Sequence, residues 1–234
     1  MAEIETLTVD EPLEERVKRH NFDRLLMLSD GVFAIALTLI ALELRPPEHW
    51  EGGVNALVVQ MWRPLFAYSA GFLIIGGFWA VHRRLFARLR TVDPFATLLS
   101  LLLLFLIAGV PAVAMLIADH GPSRSMLVYL MMVAAISVVQ CALWSYSALV
   151  ADLADPSLDR GARWHQAMQL GVPALAFTIL AGAGLEGVDV TNPLPLIMTL
   201  IPLAAMRLWL RRRRLRSRVE PDRVQADKAR ATVE

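Results

Sequence analysis

Long apolar runs alternate with short charged interruptions along most of this chain. The first run, Arg24 to Leu44 (RLLMLSDGVFAIALTLIALEL), stops at Arg45-Pro46-Pro47, where proline cannot continue a helix and restricts the residue before it. The second, Pro64 to Val81, carries no charge and runs into His82, Arg83, Arg84, Arg88 and Arg90. The third spans Pro94 to Ala118 with a kink predicted at Pro111, and the fourth spans Ser125 to Ala151. A fifth runs from about Trp164 to Leu185 around Pro173. A sixth, about Val190 to Trp209, contains Pro193, Pro195 and Pro202 and ends at RRRRLRSR, Arg211 to Arg218. Each run is near the roughly 20 residues that a spanning helix needs. The pattern predicts an all-α integral membrane protein with six transmembrane helices. Residues 1–23 read as a solvated tail or a short surface helix, 24–210 as the transmembrane domain, and 211–234 as a basic and then disordered tail.

Within the first helix the polar positions are unevenly placed. At about 100° per residue, Ile35, Leu39 and Leu42 fall within about 60° of one another, with Thr38 about 60° to the flank. Ser29 and Asp30 lie roughly 120–140° from Ile35. One face therefore offers smooth aliphatic side chains and the others offer groups that need partners. A carboxylate in hydrocarbon costs at least a few kcal/mol, so Asp30 is expected to face protein. Arg24 lies six positions from Asp30 and about 120° away, so the partners of both are expected from another helix or subunit.

Composition strengthens the membrane assignment. The 234 residues are 56% hydrophobic, above the ~45–50% of ordinary soluble domains. Net charge is +1, and the charges sit in the tails and between the runs. The one cysteine, Cys141, lies in an apolar run, so neither a disulfide framework nor a thiolate metal cluster forms within one chain. The acidic-then-basic start MAEIETLTVDEPLEERVKRH has no apolar core of a signal peptide. Arg16, Lys18 and Arg19, then Arg83 to Arg90, then Arg160 and Arg163, then Arg211 to Arg218 all fall on one side of a six-span chain. The positive-inside bias places both termini in the cytoplasm of a multi-pass cell-membrane protein. Trp50 and Trp62 then mark the outer interface, Trp164 and Trp209 the inner one. The terminal arginines read as a topology signal and an anionic-lipid contact, not as a nucleic-acid site.

The run Arg24-x3-Leu28-Ser29-Asp30 followed by GVFAIALTL resembles the R-x3-F-S-D motif of the transmembrane protein 175 family. Those proteins are potassium channels of endosomes and lysosomes and their prokaryotic relatives. Leu28 stands where the motif has phenylalanine. FWAVHRRLF, Phe78 to Phe86, is similar to the family's helix 2 run, with Arg83 where a second histidine is common. Ser100 stands where helix 3 often has asparagine. The resemblance covers helices 1 to 3 by residues and the later helices only by number and length. It implies a homotetramer with helix 1 lining a central pore. By position it makes Ile35 the constriction, Leu39 and Leu42 further hydrophobic rings, and Thr38 a selectivity residue. It also implies that Arg24, Ser29, Asp30, Trp79 and His82 form a polar network behind the pore. The permeant would be potassium, with other monovalent cations discriminated modestly, and there would be no cofactor and no metal site.

Other readings of the same residues remain open. An aliphatic stripe at this spacing is common on any membrane helix. Thr38 can bond back to its own helix, and Asp30 can be a packing lock. Gln140, Cys141 and Tyr146 read most simply as interhelical polar contacts. A proton-coupled transporter or proton pathway using Asp30 and His82 is the alternative function, although no inverted repeat is evident. An enzyme is not expected, because beyond His82 and His165 the spans hold no cluster with catalytic or metal spacing.

Overall fold

The computed structural model describes residues 12–42, 44 and 52–190, and their regular secondary structure is helical apart from an isolated pairing of Leu89 with Ala154. Among the described residues, five helices are long and apolar enough to cross a membrane. They are α1 (Leu13–Leu42), α2 (Val54–Phe86), α3 (Pro94–His120), α4 (Pro122–Ser145) and α5 (Arg160–Leu185). A single π-helical turn, Tyr146–Val150, continues α4. All five belong to the first of two units, which ends at Thr191. The body of the expected sixth span, the Arg211–Arg218 run, Trp50 and Trp209 lie outside the described residues.

The helices start earlier than hydropathy alone indicates. α1 begins at Leu13, not Arg24, because Glu14 and Glu15 in its first turn complement the helix dipole and nothing between them and Arg24 breaks a helix. α2 begins at Val54, and Pro64 is accommodated inside it; its spanning portion, Pro64–Phe86, starts where the sequence placed it and continues past Val81 through His82, Arg83 and Arg84. Asp93 caps α3 through the Ala96 amide at 2.7 Å, with Pro94 at the first helical position. Gly121, at φ 77°, makes the left-handed turn from α3 into α4. Asp159 caps α5 through the Ala162 amide at 3.3 Å.

The helices α1, α2 and α3 pack on one another, α4 packs on α3, and α5 on α4. The main core joins Leu25, Phe33, Ala36 and Ile40 of α1 to Ile75 and Phe86 of α2, to Leu103 and Ile107 of α3, and to Ile136 of α4. In hydrocarbon, helices gain little from burying oil against oil, so small residues at the contacts decide how closely they approach. Gly71 shows this directly. A Cβ there would lie 2.0 Å from Ile40 Cδ1 and 3.7 Å from Ala114 Cβ. The three helices meet at that glycine.

Candidate functional site

The sequence of α1 places two opposite stripes on one helix. Leu25, Ser29, Phe33, Ala36 and Ile40 recur every three or four residues and are buried against α2 and α3. The other stripe carries Ile35, Thr38, Leu39 and Leu42. All four face away from the other described residues, with Ile35 59%, Leu39 43% and Leu42 72% exposed. Gly31 and Arg24 are exposed on the same side. Large aliphatics left this open on a helix whose other face is sealed need an occupant for that face, either lipid or other copies of α1. Thr38 Oγ1 donates to the Ile35 carbonyl at 2.9 Å. Its one proton is thereby used within the helix, and the oxygen's lone pairs remain on the exposed face.

The polar residues of α1 separate into different roles. Asp30 sits on the flank, where the Trp79 indole N–H of α2 donates to its Oδ1 at 2.8 Å. A carboxylate at membrane depth costs ~2.5–3.5 kcal/mol, and a hydrogen bond to a charged acceptor returns ~1.5–3 kcal/mol, so this one bond offsets a large share. The Arg83 guanidinium lies 5.1 Å from the centre of the Trp79 ring, so Trp79 stands between an anion and a cation. Ser29 is buried and donates to the Leu25 carbonyl of its own helix at 2.8 Å. His82 is 1% exposed, with ring centroids 5.6 Å from Phe33 and 4.4 Å from Phe86. Neither of its nitrogens has a hydrogen-bond partner among the described residues. Of the five residues expected to share a network, the structure joins Asp30 to Trp79. It turns Ser29 to its own backbone, stacks His82 between rings, and leaves Arg24 exposed.

One end of the bundle is clasped in a way that hydropathy does not report. Leu89 pairs with Ala154, the Arg90 amide donates to the Leu153 carbonyl at 3.0 Å, and the Asp155 amide to the Arg88 carbonyl at 2.9 Å. The Tyr146 hydroxyl, at the start of the π turn, donates to Asp93 Oδ2, and Arg88 donates to Gln166. Phe22 of α1 lies 5.7 Å from Phe86. These contacts bring the N-terminal part of α1, the connection between α2 and α3 (87–93), the connection between the π turn and α5 (151–159) and the start of α5 to the same end, together with Arg83 to Arg90 and Arg160 and Arg163. Gln140 and Cys141 of α4 make interhelical contacts, as their positions suggested. Gln140 Nε2 donates to the Phe78 carbonyl at 3.4 Å, and Cys141 Sγ lies 3.9 Å from the Ala167 carbonyl. The Asp93–Tyr146 bond was not foreseen, although Asp-Pro before an apolar run marks Asp93 as a cap with one oxygen to spare.

Comparison with known proteins converges on one family. Residues 24–111 match the profile described as endosomal/lysosomal potassium channel TMEM175. A protein named potassium channel from Streptomyces collinus is 29% identical over 169 residues, spanning 70% of this chain and 82% of that one. A protein named potassium channel from Chamaesiphon minutus is 32% identical over 144 residues, spanning 58% of this chain and 71% of that one. The crystal structure of a lysosomal potassium-selective channel TMEM175 homologue from Chamaesiphon minutus superposes with a TM-score of 0.65 at 24% identity, covering 80% of this chain and 98% of that one. At that identity the superposition speaks for the fold.

Proposed function

This chain belongs to the TMEM175 family, and from that premise we propose that it is a passive, potassium-selective channel of modest selectivity, an ion channel and not an enzyme. Four copies would assemble with their α1 helices around a central axis, six spans per subunit once 190–209 is included. The observation that carries this reading is the outward stripe of α1. Ile35, Thr38, Leu39 and Leu42 have no partner face among the described residues, and the opposite face of the same helix is committed to α2 and α3. Ile35 would form the constriction, Leu39 and Leu42 the rings beyond it, and the Thr38 oxygens the nearest polar groups.

A ring of isoleucines offers no oxygen to replace an ion's water. An ion passes when it sheds hydration readily or when the ring widens, and a closed ring blocks by dewetting. Potassium holds its water less tightly than sodium, so the same ring favours it. No cofactor enters this scheme, and potassium is the permeant. The clasped, arginine-rich end would face the cytoplasm, placing residues 1–23 and 211–234 there as tails in a cell-membrane protein. A proton pathway through Asp30 and His82 is less well supported, since Trp79 holds Asp30 and His82 is walled in by Phe33 and Phe86.

The deciding experiment is flux into liposomes holding purified protein, with potassium and sodium gradients applied separately. Downhill, non-saturating potassium flux exceeding sodium flux is expected. Saturable uptake that needs a gradient of a second ion would overturn the channel reading.

A further inference from the structure

A cavity of about 320 Å³ opens between the π-helical turn and the start of α5, lined by Ala148, Leu149, Leu158, Arg160, Arg163 and Trp164. It lies on α4 and α5, away from the α1 stripe. Arg163 builds its wall. The Arg163 Nε donates to the Leu158 carbonyl at 3.1 Å and Nη1 to the Ala148 carbonyl at 3.2 Å, while Nη1 also pairs with Asp152. Asp152 thus neutralises Arg163, and that bond holds its carboxyl below the usual carboxylate range. The other acidic groups of the loop are also engaged, Asp155 by the Ser157 amide at 2.8 Å and Asp159 by the Ala162 amide at 3.3 Å. Arg160 differs. It is exposed at the mouth and forms no ion pair with a described residue.

The surface leading away from Arg160 changes character in order. Arg160, Trp164 and Met168 recur every four residues, so they form one line along α5. Leu175 and Ile179 continue it, and all are exposed. The order along the helix is a cation, an amphipathic ring, then aliphatics. A lipid presents the same order, with its phosphate outermost, its glycerol next and its acyl chains deepest.

We propose that this cavity is a phospholipid site, with the lipid phosphate at Arg160, the glycerol region against Trp164, and an acyl chain along Met168, Leu175 and Ile179. A lipid seated there would brace the π-helical turn against α5 at the clasped end of the bundle. The phosphate contact supplies affinity and weakens with salt, while the chain contact excludes free anions.

Native mass spectrometry of the purified full-length protein tests this, with phosphatidylglycerol or phosphatidylethanolamine titrated into the detergent. Arg160→Gln should weaken phospholipid binding about fivefold, the factor for one arginine at a headgroup. Trp164→Leu should weaken it as well, and Arg84→Gln, an exposed arginine outside the cavity, should not. Unchanged binding in Arg160→Gln and Trp164→Leu would overturn the proposal, as would an equal loss in Arg84→Gln, which signals diffuse surface charge. Displacement of the lipid by inorganic phosphate alone would overturn it in favour of a free-anion site.

Discussion

At residue scale, Ile35 and Thr38 have opposite chemistry one turn apart, and each carries its own test. Ile35→Asn replaces a dry ring with carboxamides that can stand in for water, so the sodium-to-potassium permeability ratio should rise. Reversal potentials under bi-ionic conditions read this directly, and an unmoved ratio removes Ile35 from the constriction. Thr38→Val keeps the shape and deletes the oxygen. Its bond to the Ile35 carbonyl is local and worth only about 1 kcal/mol, so the helix should persist while selectivity for potassium falls. Trp79→Phe removes the donor to Asp30 and leaves a carboxylate in hydrocarbon. The expected loss is ~1.5–3 kcal/mol, seen as a lowered unfolding midpoint in detergent. Asp30→Asn, which retains an acceptor oxygen for Trp79 without the charge, should be milder and still conduct. The charged motif at Arg24 to Asp30 was visible in the sequence, and so was the need of Asp30 for a partner on another helix. What the sequence withheld was which polar groups would be satisfied locally. Ser29 and Thr38 both bond backward along α1, a choice set by χ1 and not by spacing.

At the scale of elements, the apolar runs located all five described spans, because a membrane forces every spanning backbone into an unbroken helix. The ends were less legible. α1 extends to Leu13 through residues too polar to count as a span, and α2 reaches back past Pro64. Hydropathy reports where lipid lies, and helices continue beyond it. Packing was the least legible of all. Gly71 is one small residue among several in its run, and only the close approach of Ile40 distinguishes it from Gly76 and Gly77, where an added Cβ would meet nothing within 4 Å. Gly71→Ala should therefore separate α1 from α2 at a cost of roughly 1–3 kcal/mol, because Ile40 is itself buried and has little room to turn. Gly76→Ala should be near neutral. Equal unfolding midpoints for the two variants would show that Ile40 repacks freely.

At the scale of the whole molecule, the arrangement of helices bears on where copies of the chain would meet in the proposed assembly. α5 packs on α4, α4 on α3, and α1 joins α2 and α3, so α1 stands away from the α5 edge and shows an aliphatic stripe. An exposed apolar stripe on a membrane helix is equally at home against acyl chains, so the decision between axis and lipid needs a probe that only an axis can satisfy. Thiols supply one. In a Cys141→Ala background, Ile35→Cys would place four sulfurs around a water-accessible path if α1 lines the pore. Soft thiolates gathered in this way bind cadmium, which cannot reach isolated thiols in hydrocarbon. Potassium flux through that variant should be blocked by cadmium and restored by a chelator. Potassium flux through Leu175→Cys, on the exposed face of α5, should be insensitive to cadmium. A full cadmium block at position 35 with none at 175 ties the open face of α1 to the conduction path. Conduction through Ile35→Cys that ignores cadmium would turn that face to the lipid and leave the channel without its axis.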